Sequence, residues 1–94
     1  MDYKVTGHAF MRYVERTEKV KYDKILNEIS HIMLKGTEVE PKDNLRRKLE
    51  HGLQETKYMK KNGIIAACKK DGDQWIVTTF LDYEKQRRLW KTKR

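Results

Sequence analysis

Four-residue steps separate His8, Arg12 and Arg16. On a helix, at about 100° per residue, these steps put the three side chains on one face with Glu15. Ala9, Phe10, Tyr13 and Val14 then take the other face. An imidazole that titrates near neutrality, set beside two permanent cations, can hold a phosphodiester and move a proton next to it. Cleaving RNA without a metal needs a base for the 2′-hydroxyl, an acid for the leaving oxygen and cations where charge develops. His8 can act as base or acid, and Arg12 and Arg16 can grip the phosphate through paired N–H donors. Thr78, or its neighbour Thr79, can donate to a non-bridging oxygen from an opposing strand. Tyr58, Lys60 and Lys61, earlier in the same region, can add a proton donor or charge. The plainer reading of the same residues is a solvated helix face with Arg12, Glu15 and Arg16 as a salt-bridge set. Two threonines on a strand need no function to explain them.

Other chemistries lack their residues. The chain has no Gly-rich phosphate loop and no Ser or Cys elbow, and nothing in it has metal-ligand spacing. His8, His31 and His51 are far apart in sequence. No metal and no cofactor are expected, and His31 is expected to be a surface residue. The single cysteine, Cys68, excludes an internal disulfide. It falls in the apolar run Ile64 to Cys68, where a buried, inert thiol is the expectation.

Charge points to the partner. Against 14 Asp and Glu stand 22 Lys and Arg, a net charge of +8 over 94 residues. Such an excess favours an anionic partner, nucleic acid first and RNA ahead of DNA for the chemistry above, then an acidic protein or an anionic membrane. From Asp82 onward, Lys85, Arg87, Arg88, Lys91, Lys93 and Arg94 face only two acids, so this tail supplies half of the net charge. Lys60, Lys61, Arg87, Arg88 and Lys91 are the nucleic-acid-binding candidates. No segment is apolar enough to span a membrane, and Asp2, Tyr3 and Lys4 do not open a signal peptide. A cytoplasmic protein that makes no membrane contact is expected.

Positioning these residues falls to one α+β domain over residues 1–94. Residues 1–36 read as a helical pair. Tyr3 to Thr6 is an edge strand or lead-in, Thr6 or Gly7 caps a helix to about Thr17, and a second helix runs from about Val20 to Lys35, closed by Gly36. Tyr22, Ile25, Leu26, Ile29, Ile32 and Met33 follow its period. Residues 37–56 read as a linker around Pro41 followed by a weaker helix, Asn44 to Leu53, whose Arg46-Arg47-Lys48 run is solvated. Residues 57–81 read as a three-stranded antiparallel meander with turns at Asn62-Gly63 and Asp71-Gly72. Strict alternation puts Ile76, Thr78 and Phe80 on one face and Trp75, Val77, Thr79 and Leu81 on the other. Residues 82–94 read as a basic C-terminal helix capped by Asp82. The expected architecture is helices packed on a small three-stranded antiparallel sheet.

With His8-Ala9, Arg12 and Glu15-Arg16 on a first helix, then an amphipathic helix, then strands ending in Ile76-Val77-Thr78, the chain resembles the barnase–EndoU–colicin–RelE superfamily. These are small ribonuclease-type domains of bacterial toxins, phages and mobile elements. The resemblance covers nearly the whole chain in element order, but only about eight residues in motif. It implies a first-helix His and Arg facing a hydroxyl residue on a late strand, here His8, Arg12, Arg16 and Thr78. It also implies a metal-independent endoribonuclease and adds a cognate inhibitor protein as a candidate partner. Two features depart from the pattern: the helical stretch around Arg46 to Leu53, and the basic extension after Asp82. A non-catalytic nucleic-acid-binding module on the 57–70 strands and basic tail is the alternative. A phage-type inhibitor that docks on an acidic protein ranks behind both, because such inhibitors are often acidic.

Overall fold

The computed structural model describes residues 2–42 and 55–93. The first strand, β1 (Tyr3–Val5), is only three residues long. Thr6 then turns the chain into α1 (Gly7–Thr17), its hydroxyl accepting from the Ala9 N–H at 3.0 Å. That bond satisfies one of the orphan donors of the first turn. Ala9 and Tyr13 are buried along one stripe of α1, and Phe10 and Val14 pack beside them. Glu18 ends the helix in a left-handed conformation (φ 56°) and donates its N–H to Val14 O. The second helix, α2 (Tyr22–Lys35), buries Ile25, Ile29, Ile32 and Met33. Phe10 and Tyr22 meet across the two helices with ring centroids 5.3 Å apart.

Strands β2 (Thr37–Pro41), β3 (Thr56–Lys61), β4 (Ile64–Asp71) and β5 (Gln74–Asp82) follow. After β5 come a single helical turn, α3 (Tyr83–Gln86), a 3-10 turn over Arg87–Leu89, and β6 (Trp90–Thr92). All six strands form one sheet in the order β1-β5-β4-β3-β2-β6. It is mixed, because β1 runs parallel to β5 while the other pairs are antiparallel. The expected three-stranded antiparallel sheet is therefore wrong. Strands β3 to β5 are the middle of a sheet twice as wide.

Three additions account for the difference. Tyr3–Val5 docks on β5. The stretch read as a linker, Thr37–Pro41, is a strand between β3 and β6. The expected C-terminal helix lasts one turn and then becomes β6 on β2, with Trp90 opposite Pro41. The helix expected over 44–53 lies outside the described residues.

Both sides of the sheet are covered at its centre. One face carries α1 and α2 over Met59, Ala66, Cys68, Val77 and Phe80. The other carries a second cluster of Val39, Tyr58, Ile65, Ala67 and Trp90, with Leu81, Tyr83 and Leu89 packed against it. This double covering is why β4 buries four successive residues, Ile65 to Cys68. The two hairpin loops are tight. Asn62 and Gly63 both take positive φ (53° and 78°), as a two-residue hairpin with the strands' own twist requires.

One irregularity interrupts the pairing of β4 with β5. Cys68 stands opposite Val77 and Ala67 opposite Thr79, leaving Thr78 as an extra residue, a β-bulge. The bulge resets the alternation, so Val77 and Phe80, three residues apart, both enter the core under the helices. The strict two-residue alternation expected along β5 fails at this residue.

Candidate functional site

Strand β1 covers β5 only from Trp75 to Val77. Beyond Val77, that edge of β5 has no strand partner among the described residues, and α1 runs alongside it. Two hydrogen bonds tie α1 there. Thr6 N–H donates to Val77 O at 3.1 Å, and one helix length later Arg16 Nε donates to Phe80 O at 2.8 Å. They bracket Thr78 and orient the polar flank of α1.

Along that flank, His8 is exposed in the first turn. Arg12, also exposed, has its Nη1 3.4 Å from Glu15 Oε2, and Arg16 is anchored through Nε with its terminal nitrogens left over. Beside the start of α1 is a cavity of about 480 Å³ lined by Thr6, Lys69, Lys70, Asp71, Ile76 and Thr78. Lys4 and Lys69 flank Ile76 in register, one on each neighbouring strand. Neither lysine has an ion pair among the described residues, and nor does Lys70.

Thr78 is close to this flank but does not have the role expected of it. Its hydroxyl donates to Ala67 O at 3.1 Å, so its proton is engaged within the sheet while its lone pairs stay available. Thr79 pairs with Ala67 on β4 and is half-buried.

The remaining expected contributors are scattered. Tyr58 is buried in the second cluster, its ring 5.0 Å from that of Trp90, and cannot reach α1 as a proton donor. Lys60 lies over the Tyr83 ring at 4.3 Å. Lys61, the next residue, points to the opposite face, as strand alternation demands. Arg87 is 3.8 Å from Glu84, and Lys91 is 3.5 Å from Glu40. Lys91 sits on β6, at the far edge of the sheet from β1, and Arg88 is exposed just before that strand. The basic tail and the α1 flank are therefore two separate surfaces.

A second cavity, of about 370 Å³, opens where α1, α2 and the β3–β4 turn meet. From the helical side it is lined by Tyr13, Thr17, Lys19, Asn27, Glu28 and His31. Ile32, Lys61, Asn62 and Ile64 complete the wall. At its centre Tyr13 Oη donates to Glu28 Oε1 at 2.7 Å, and Lys19 Nζ is 2.5 Å from Glu28 Oε2. The Lys19 contact, more than the Tyr13 hydroxyl, holds the Glu28 carboxyl below the usual range against the opposing effect of burial. Burial, reinforced by the neighbouring carboxylate, raises the Tyr13 phenol. This group was not anticipated as a site. The available signal was Glu28 and His31 three residues apart on α2, but only the docking of α1 brings Tyr13 and Lys19 to them.

No group of three His, Cys, Asp or Glu residues able to hold a metal occurs among the described residues. Nor is any of their helices long and apolar enough to cross a membrane. Cys68 is buried, and burial pushes its thiol up to about 12. No family model, curated protein or solved structure matches the chain.

Proposed function

We propose that this protein is a small cytoplasmic RNA-binding domain built on the plan of a metal-independent endoribonuclease. The observation that carries this reading is the seating of α1 along the open edge of β5. There His8, Arg12 and Arg16 line one flank, Arg16 tied to Phe80 O, and the cap residue Thr6 at the start of the helix borders a cavity edged by Lys69 and Lys70.

In the chemistry this layout suits, the 2′-hydroxyl of RNA attacks the adjacent phosphorus. The new O–P bond forms as the bond to the 5′-oxygen breaks, leaving a 2′,3′-cyclic phosphate and a free 5′-hydroxyl. His8 takes the proton from the 2′-hydroxyl while water protonates the leaving oxygen, or it protonates the leaving oxygen while water takes the 2′-proton. The unused guanidinium donors of Arg12 and Arg16 hold the phosphate as charge builds on its oxygens. Thr78 offers an acceptor and fixes the shape of the strand, and its proton stays with Ala67 O.

The alternative is a binding module without turnover, favoured by one observation: the Thr78 hydroxyl already donates within the sheet, to Ala67 O. Either reading takes RNA as partner, and a cognate inhibitor protein would cover the same flank.

The deciding experiment incubates purified protein with total RNA in excess EDTA, beside His8→Ala, and measures RNA binding over a salt series. Cleavage by the wild type that His8→Ala abolishes is the expected result. Binding that weakens steeply with salt, with no cleavage by either protein, would move the assignment to the binding module. RNA that is neither cut nor bound would remove both readings.

A further inference from the structure

We infer that the cavity between α2 and the β3–β4 turn is a binding site for a phosphate monoester, held by Lys61 and His31. Its position separates it from the proposed RNA surface. It opens beside Tyr13 and Thr17, on a different side of α1 from His8 and Arg12. The inference does not depend on ribonuclease activity.

The charge balance inside the cavity sets the class of ligand. Glu28 is the one carboxylate among the lining residues. Both of its oxygens are already used, Oε1 by the Tyr13 hydroxyl and Oε2 by Lys19. Lys19 balances that carboxylate's charge, and no ion pair joins it to Lys61. Lys61 is half-buried and has no ion pair among the described residues. An unpaired ammonium withdrawn partly from water favours an anion strongly.

Around Lys61 several groups can turn donors toward a ligand. Asn27 and Asn62 supply amide N–H groups, and the His31 imidazole can donate from either nitrogen when protonated. The Thr17 hydroxyl is not free, since it donates to Tyr13 O at 2.8 Å. A phosphate takes several donors at once, which suits this set better than a single carboxylate would. Ile32 and Ile64 give the cavity an apolar floor for the organic group the phosphate carries. A volume of about 370 Å³ falls in the range of small-ligand pockets, about 300–1,000 Å³.

Isotope-labelled protein titrated with inorganic phosphate, a nucleoside 5′-monophosphate and the uncharged nucleoside, while backbone amide shifts are followed, tests the site. The nucleotide should give saturable shifts at Lys61–Ile64 and around Asn27–Ile32, and the uncharged nucleoside none. Inorganic phosphate moving the same amides as tightly as the nucleotide would identify free phosphate as the ligand. Tighter nucleotide binding would show that the organic group uses the floor. Lys61→Met keeps the aliphatic stem and should weaken binding about tenfold or more. Its unchanged thermal melting would show that the loss is not unfolding. His31→Gln should weaken binding by a smaller factor.

His8→Ala should leave this binding intact, so failure of the RNA assay and failure of this site are read separately. Absence of saturable shifts with either phosphate, undiminished binding by Lys61→Met, or equal binding of the uncharged nucleoside would each overturn the inference.

Discussion

Thr78 donates its hydroxyl to Ala67 O across the only irregular step in the pairing of β4 with β5, at 3.1 Å. The bond closes the gap that the extra residue opens in the ladder, and it consumes the proton that a catalytic role would need. It also sits between the two points where α1 is tied to β5, through Thr6 and Arg16. Fixing the bulge therefore fixes the strand edge that α1 follows.

Replacing Thr78 by Val should cost about 1 kcal/mol, since it removes one net hydrogen bond and leaves Ala67 O short of a donor. Thr78→Ser should retain most of the stability. Chemical denaturation measures both. In the RNA assay, Thr78→Val should retain cleavage to the extent that its fold survives, because no proton is drawn from this hydroxyl. Complete loss of cleavage by a fully folded Thr78→Val would contradict that.

The structural role of Arg16 and its proposed role in RNA binding separate experimentally. Arg16→Ala removes the bond to Phe80 O and should cost about 1–2 kcal/mol, for a charged donor on a neutral acceptor. It should also lower the salt dependence of RNA binding by about one phosphate contact. A loss of stability with an unchanged salt slope would make Arg16 purely structural.

How far these arrangements were legible in the sequence depends on how local their causes are. Thr6 capping, the Tyr13 and Ile25 stripes and the Asn62-Gly63 turn rest on neighbours a few residues away, and reading along the chain reaches them. Strand β2 does not: Thr37–Pro41 alternates with acids and ends in proline, and only β3 and β6 on either side make it a strand. Its proline is tolerated because β3 pairs with it no further than Val39, so no ladder bond to β3 is lost. Trp90–Thr92 likewise reads as helix until Pro41 lies opposite. The α1 flank was legible as a periodicity. The opposite facing of Lys60 and Lys61 was implicit in alternation, whereas the bulge at Thr78 and the Tyr13–Glu28–Lys19 group require partners that only the fold supplies.

Gly36 is needed for space rather than for its backbone angle, which is an ordinary −71°. A Cβ there would lie 2.4 Å from Ile32 O and 2.9 Å from Lys60 O, both backbone atoms that cannot turn aside. Gly36→Ala should destabilise by about 1–3 kcal/mol through overpacking where α2 meets β3. Gly7 has nothing within 4 Å and begins α1, so Gly7→Ala should be neutral or stabilise by about 0.4–1 kcal/mol. Thermal melting of the pair distinguishes steric need from general glycine loss.

The Tyr13–Glu28–Lys19 group makes stability depend on pH at both ends. The native Glu28 carboxyl is held low, chiefly by Lys19, so its contribution is complete above the ordinary glutamate range and disappears as pH falls through the depressed native value. The Tyr13 phenol is raised, so its contribution is complete below about 10, the ordinary tyrosine value, and shrinks as pH rises beyond it. Melting temperature followed from pH 7 downward should fall less steeply for Glu28→Gln than for wild type, and above about pH 10 less steeply for Tyr13→Phe. Tyr13→Phe should itself cost about 1 kcal/mol at neutral pH from the lost bond to Glu28. Parallel acid limbs in wild type and Glu28→Gln would show that the native carboxyl is not held low by its contacts.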